Sequence, residues 1–549
     1  FTINFSILFN SNVEFVLLIS SINPDNNKPS LKFSDNILKE TNTYELVITD
    51  KADLEGLPEA VIEAAAELAA SKNKKGQWIF TLHNASVMPF LQYASNRNLR
   101  KEIWEAYQKR GNNNNENDNK ENIIKLANLR SEKAQLLGYS NYATYTLEET
   151  MAKTPDNVYK LINQLWTPAL QKANQESAEI KKMMIADGIQ GAVQPYDWRY
   201  YTEKIRKQRY DLDEQELKPY FSLENVQNGV FQVTEKLYGL KFKQVKNVPV
   251  YHKDVTAWEV TEEDGSFVGL LYMDFHPRES KAGGAWMTSY REQQMLNGKR
   301  WAPVISIVCN FTPPTSSTPS LLTFDEVTTF FHEFGHALHG LLSNVQHQSL
   351  AGTSVSRDFV ELPSQVMENW AAEPAVLKMF AKHYKTGEVI PDALIQKIIN
   401  AGTFDQGFAT VEYLAASLLD LDFHTTKNNI TDVNAFETAS MKKIGLTEDI
   451  IPRYRSSYFN HIFGGGYAAG YYSYIWSGVL DTDAFEAFKT TDLFNKEKAN
   501  AFRKNILEKG GTDDPAKLYK AFRGQDPSIN ALLKKRGLDK SSSISTNRN

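Results

Sequence analysis

The sequence predicts a mainly α-helical fold with one small β-sheet just ahead of a metal-binding helix. Three observations carry this. Over most of the 549 residues, apolar positions recur at helical spacing, with capping residues at the expected ends. From about residue 240 to 311 the pattern changes to alternation of apolar and polar residues. Directly after that stretch, His332-Glu333-Phe334-Gly335-His336 lies inside a new helical pattern.

The elements follow in chain order. Residues 56–71 are rich in Ala and Glu, with Pro58 tolerable in a first turn. Residues 123–137 read as a helix that stops at Gly138. Thr154-Pro155 is a cap followed by a first-turn proline, and the helical pattern then runs towards Gly188. Between these helices, Gly111–Asn119 is Asn-rich and is expected to be a solvated connector. Strands are expected over 239–246, 255–261 and 266–275, with a hairpin turn at Asp264-Gly265, and over 304–311, ending before Pro313-Pro314. Helix is expected again to about residue 535, followed by a frayed tail. This organisation divides the chain into an N-terminal helical lobe, 1–238, a catalytic region, 239–538, and a tail, 539–549. The chain shows no internal repeat.

Composition narrows the function classes. Hydrophobic residues at 42% and charged residues at 23% are ordinary for a globular protein. A formal net charge of -5 without a basic stripe argues against a nucleic-acid partner. Cys309 is the only cysteine, so neither a disulfide nor a Cys-x-x-Cys metal knuckle is available, and a metal must be held by His, Asp or Glu. No stretch is long and apolar enough to span a membrane. The chain opens on Phe1, and the apolar run Val13–Ile19 contains Glu14 and lacks a basic flank, so it does not read as a signal peptide. A cytoplasmic location is the resulting expectation, with a start that is truncated.

The metal motif rests on spacing. Four residues apart on a helix, His332 and His336 present both imidazoles on one face, where they can share an ion. Such a string arises by chance in roughly one chain in a hundred of this length, so context must decide. Thr323-Phe-Asp-Glu326 supplies a capping box, and an apolar stretch follows. Glu333 then stands beside the first ligand as a general base for an attacking water. His339 is about 10 Å from His332 along the helix axis, too far to join the same ion, and is expected to pack or to support. A third ligand is needed. The metzincin pattern is absent, because the chain has His339 and Leu342 where that pattern needs Gly and His. A carboxylate from a later helix remains, with Asp358, Glu361, Glu368 and Glu373 as candidates. Glu361 and Glu368 lie two turns apart on one face, so one can bind metal while the other orients a histidine.

The segments Phe331-His-Glu-Phe-Gly-His-Ala-Leu-His339 and Phe359-Val-Glu-Leu-Pro-Ser-Gln-Val-Met-Glu-Asn-Trp370 resemble the thimet oligopeptidase and neurolysin family of zinc peptidases. His461-Ile-Phe-Gly-Gly-Gly-Tyr-Ala-Ala-Gly-Tyr-Tyr-Ser-Tyr-Ile-Trp476 is most similar to the bacterial peptidyl-dipeptidases of that family. Gly111-Asn-Asn, Trp198-Arg-Tyr-Tyr and Lys281-Ala-Gly-Gly-Ala-Trp-Met287 add to the likeness, which runs from about residue 30 to 538 and fails before it.

The resemblance implies a two-lobed helical ellipsoid with a deep substrate channel. It implies one Zn2+ per chain on His332, His336 and Glu361, and Glu333 as the base. His461, Tyr467 and Tyr474 become transition-state helpers. It also implies short unstructured peptides as substrates, most consistent with release of C-terminal dipeptides. An endo-acting oligopeptidase is the alternative, and a catalytically inactive peptide-binding protein a further one. Tyr471 lies in the same Gly-rich segment, whose glycines suggest a mobile lid. Asn310 ends a strand that, in related peptidases, is an edge pairing with the substrate backbone. Arg453 and Arg455 are candidates for the substrate carboxylate, with Arg278 and Arg291 as rivals. No nucleic-acid or membrane partner is expected, and the chain is expected to be a monomer.

Overall fold

Helices open where the sequence placed their caps. The structure is a computed structural model, and it describes residues 28–539. The first-turn proline expected at Pro58 stands one step earlier, at the cap of the helix Glu59–Ser71. Helix α1 spans Lys120–Leu136, and its chain turns away at Gly138, where φ is +86°. Helix α2 runs from Pro155 to Ala186, past an internal Pro168. The expected tail and the expected truncated start fall largely outside the described residues.

Next come five strands: β1 (Lys241–Val245), β2 (Thr256–Thr261), β3 (Phe267–Asp274), β4 (Trp286–Arg291) and β5 (Val304–Val308). They form one sheet in the order β1-β2-β3-β5-β4. Gly265, with φ +84°, makes the expected turn between β2 and β3. β5 pairs parallel with β3 on one side and antiparallel with β4 on the other. The strand before the metal helix is therefore interior, and the expectation of an edge strand there is corrected. The edge on that side is β4, which the sequence did not reveal. Most of its residues are only half-buried and its end is exposed, so it lacks the alternation that marks a strand. Two further strand pairs, Leu46–Ile48 with Trp78–Phe80 and Gln294–Leu296 with Lys299–Trp301, are small.

Behind the sheet lie the helices that matter for the site: α3 (Phe324–Leu341), α4 (Leu362–Ala371), α5 (Gln406–Thr425) and α6 (Ser473–Lys489). The last described helix ends at Lys535, as expected. Helix dominates throughout, which bears out the mainly α reading. Among the described residues, no helix is long and apolar enough to cross a membrane.

The chain divides into two compact units. The first draws on residues up to Thr43, on Glu105–Thr167 and on Ala409–Tyr472. The second draws on Tyr44–Trp104, Pro168–Phe408 and the chain from Ser473. Residue 238 is thus only the point where helix gives way to strand, with both sides inside the second unit. A linear reading missed this because each unit is assembled from segments distant in sequence.

The Asn-rich connector also differs from expectation. Asn119 is fully buried, and its amide donates to the carbonyls of Phe33 and Ser457. Its side-chain oxygen accepts from Asn36 and Asn122. Asn113 and Asn115 both hold the Glu40 carboxylate. The amides are there to satisfy buried polar groups of the first unit.

Candidate metal centre

The centre is built on α3 in the second unit. Thr323 caps the helix by accepting from the Glu326 backbone N–H at 3.1 Å, while the Glu326 carboxylate accepts from the Thr323 N–H at 2.8 Å. This is the capping box read from the sequence. Glu326 also accepts from the Thr312 hydroxyl, which ties the helix start to the chain leaving β5. One face of α3 is almost wholly apolar and buried, so the helix cannot rotate about its axis without exposing Phe330, Phe331 and Phe334.

On that fixed frame His332 and His336 stand one turn apart, their ring centroids 4.9 Å from each other. Glu361 enters from the short link between the helical turn Arg357–Val360 and α4. Its Oε2 lies 3.3 Å from His332 Nε2 and 3.0 Å from His336 Nε2. One donor atom from each of the three falls within 4.8 Å of the others. Of the four carboxylates left open by spacing alone, the structure brings Glu361 to the histidines.

Two features hold that arrangement. Gly335 lets α4 approach α3 closely: a Cβ there would stand 2.4 Å from the Pro363 carbonyl oxygen and 2.5 Å from Ser364 Cα. Ser364 in turn donates to the Glu361 main-chain carbonyl at 2.8 Å and lies 3.1 Å from its Oε2. Neither residue was singled out by sequence reasoning, since a glycine or serine inside a helix gives no signal without its neighbour.

Glu368 completes the surroundings. Its Oε1 is 2.6 Å from His332 Nδ1, one turn-pair along α4 from Glu361. A carboxylate on the outer ring nitrogen fixes the tautomer that leaves Nε2 free to coordinate. Replacing Glu368 by Gln is expected to lower metal affinity by about 10- to 100-fold, measured by competition with a chromogenic chelator. Unchanged affinity would show that Glu368 does not orient the histidine.

The donor set fits a metal. Two imidazole nitrogens and one carboxylate oxygen form the three-ligand arrangement that leaves a position for water or substrate. Glu361 is 1% exposed, and burial works against its ionised form, yet the facing histidines hold its pKa well below the usual carboxylate range. A buried charge of this kind is maintained only with partners of opposite charge.

Glu333 sits on the same helix and is almost fully buried. Burial raises its pKa, with His332 and His336 pulling the other way. Among the described residues its Oε2 has no hydrogen-bond partner. Leaving a buried carboxylate oxygen unpaired costs about 1–3 kcal/mol or more, so a proton-accepting task is a better account of it than packing. His339 behaves differently. It is fully buried, its ring nitrogens have no partner among the described residues, and burial, with the neighbouring His336, pushes its pKa down to about 3. It is a neutral packing residue, in line with the helix-spacing argument.

The other expected residues are placed as follows. Tyr474 begins α6 in the second unit, where its main-chain carbonyl accepts from Gln365 on α4 at 2.9 Å. Asn310 donates to the carbonyls of Ala282 and Gly284, pinning the Gly283-Gly284 loop. Cys309 is a fully buried core thiol. Arg278 is held by both oxygens of the buried Asp274, and Arg291 donates to the Ala302 carbonyl. Both are therefore engaged structurally.

In the first unit, His461 packs in an aromatic cluster, 4.8 Å from Tyr454, 5.2 Å from Tyr471 and 5.9 Å from Tyr467 between ring centroids. Arg455 is tied to Glu437, which also holds the Ser456 N–H and hydroxyl. Arg453 is 52% exposed and reaches Glu412 only at 3.8 Å, so of the two it keeps more freedom. The Gly464–Gly466 tip is exposed at Gly465 and Gly466, but its flanks are anchored, so the wholesale lid suggested by the glycines is narrowed to a short tip.

A family model described as peptidase family M3 matches residues 90–538. The chain belongs to peptidase family M3. It is 40% identical over 514 residues to the dipeptidyl carboxypeptidase of Escherichia coli, covering 92% of this chain and 75% of the relative. It is 37% identical over 519 residues to oligopeptidase A of the same organism, covering 92% and 76%. Among solved structures, PZ peptidase A with an inhibitor aligns at a TM-score of 0.53 with 16% identity, covering 98% of this chain and 81% of that one. Membership makes the chain a metallopeptidase, and the His332, His336 and Glu361 group is its metal centre.

Proposed function

We propose that this M3 peptidase uses zinc, one ion per chain, and releases dipeptides from the C-terminus of short unstructured peptides. The observation that carries the hydrolytic part is the convergence of His332, His336 and Glu361, with Glu333 buried beside them. The zinc assignment is supported by the donor set: two nitrogens, one oxygen and no thiolate. The dipeptide assignment is supported by likeness to proteins named dipeptidyl carboxypeptidase, at 40% and 39% identity.

When bound, the ion supplies Lewis acidity towards the scissile carbonyl and the attacking water. The chain's own residues do the rest. Glu333 takes the water's proton and delivers it to the leaving amine nitrogen. His332 is kept in the coordinating tautomer by Glu368, and Glu361 is kept in place by Ser364. His461, Tyr467 and Tyr474 offer an imidazole and two phenol donors for the negative charge that develops on the carbonyl oxygen. Arg453 is proposed to bind the free carboxylate of the substrate, with Asn310 and Tyr471 as further substrate contacts.

An endo-acting oligopeptidase is the second reading, favoured by the nearly equal likeness to oligopeptidase A. One assay separates the two. A free-acid peptide and its C-terminal amide are incubated in parallel, and products are followed by mass spectrometry. Stepwise loss of dipeptides from the acid, and cleavage of the amide slower by about 10²-fold or more, is the expected result. Equal internal cleavage of both would give the endo reading. A peptide-binding protein without catalysis is disfavoured by the complete ligand and base set. Cytoplasmic location and a monomeric state complete the proposal.

A further inference from the structure

Beneath the His461–Tyr471 segment, and wholly within the first unit, runs a chain of buried charged and polar side chains that has no part in metal binding. Arg130 on α1, and Asp420 and His424 on α5, are each at most 1% exposed. Asp420 and His424 are one helical turn apart. The His424 Nδ1 lies 2.8 Å from Asp420 Oδ1 and 2.8 Å from the Asp420 main-chain oxygen. On the other side of the ring, Arg130 Nη1 is 3.1 Å from Nε2. A guanidinium only donates, so Nε2 accepts. The ring is then neutral, its single proton is on Nδ1, and that proton is directed at Asp420.

Both ends of this chain close on the same loop. Arg130 Nη1 donates to the Ile462 carbonyl at 2.7 Å, one residue after His461. Asp420 Oδ1 accepts from the Ala469 N–H and Oδ2 from the Tyr471 N–H, each at 2.9 Å. Ala469 has φ +55°, in the left-handed region that a residue with a Cβ seldom adopts. Backbone N–H groups converging around such a residue form a concave cradle for an anion, and the Asp420 carboxylate is the anion that fills it. The bend at Ala469 and the charge at Asp420 therefore require each other. A buried ionic chain of this sort adds little net stability compared with apolar packing, so specifying one backbone conformation is the better account of it.

We infer that Asp420, oriented by the neutral His424 and by Arg130, is the positioning residue that sets the conformation of the His461–Tyr471 loop. The proposal rests on the reading that His461 and Tyr467 on that loop assist the reaction. Asp420 touches no reacting atom. It acts through the loop, and its loss misplaces the donors rather than removing them.

The test compares full-length variants under saturating and subsaturating peptide. Asp420→Asn leaves one acceptor oxygen for two N–H groups and turns an NH2 on the other. It is expected to lower kcat by about 10²-fold with KM nearly unchanged and metal content intact, since small displacements of a catalytic group cost about that much. His424→Asn keeps a donor near the Nδ1 position, whereas His424→Gln keeps the acceptor near Nε2 and fills the ring volume better. The positioning role predicts that Asn preserves more kcat than Gln, and a space-filling role predicts the reverse order. Tyr467→Phe is measured alongside. If Tyr467→Phe lowers kcat while Asp420→Asn leaves it at the wild-type value, or Gln outperforms Asn at 424, the positioning role is overturned and the reading of the loop stands. If neither Tyr467→Phe nor His461→Gln alters kcat, the loop is not catalytic and the proposal falls with it.

Discussion

Replacing Glu333 by Gln is expected to reduce kcat by about 10³- to 10⁴-fold while metal binding and thermal stability are retained. General-base catalysis contributes about 10²–10⁴-fold in typical cases. The upper part of that range applies because one carboxylate both removes the water's proton and returns it to the amine. Glutamine keeps the shape and can accept no proton. Metal is retained because the ligand group is His332, His336 and Glu361, without Glu333. Stability is retained, or rises, because Glu333 is a buried carboxylate with an oxygen that has no partner among the described residues. Removing such a charge relieves a cost instead of breaking a bond. Turnover within a few-fold of wild type would show that another group is the base.

The second large effect is expected at Gly335. Alanine is favoured over glycine inside a helix by about 1 kcal/mol, so propensity alone predicts a more stable α3. Packing predicts the opposite. The new Cβ would meet the Pro363 carbonyl oxygen at 2.4 Å and Ser364 Cα at 2.5 Å. These are backbone atoms of the segment that carries Glu361, and they cannot swing aside as a side-chain end can. Overpacking of this kind costs about 1–3 kcal/mol, which outweighs the gain in propensity. The relief available is to move α4 away from α3, and that draws Glu361 away from the histidines. Gly335→Ala should therefore lose at least about tenfold in metal affinity and about 1–2 kcal/mol in stability. Chelator competition and thermal unfolding measure the two. A variant with full metal affinity would mean that the close crossing does not set the Glu361 position.

The contrast between these two sites shows what the chain disclosed on its own. His332, Glu333 and His336 were legible because one helix supplies all three, and helical spacing is a local property. The caps of α3 and the hairpin at Gly265 were legible for the same reason. Glu361 was one of four carboxylates until a resemblance distinguished it, because its approach depends on how α4 crosses α3. Gly335 and Ser364 make that crossing possible, yet each carries meaning only beside the other helix. Strand β4 was hidden because an edge strand with half-buried residues shows no alternation. The Asn119 amide was misjudged because composition reports polarity but not the buried carbonyls a polar group serves. Asp420 and His424 lie a turn apart in an otherwise ordinary helix, and only the fold brings Arg130 and the Ala469 bend to them.

The account turns on one metal ion held by this ligand set and worked by one base. Its most direct test is the metal content of the purified chain and of the Glu333→Gln variant, read by elemental analysis beside peptide turnover. One zinc per chain in both proteins, with turnover in the first alone and loss of that turnover on chelation, is the predicted result. A chain that hydrolyses peptides at full rate after its metal has been removed would contradict it.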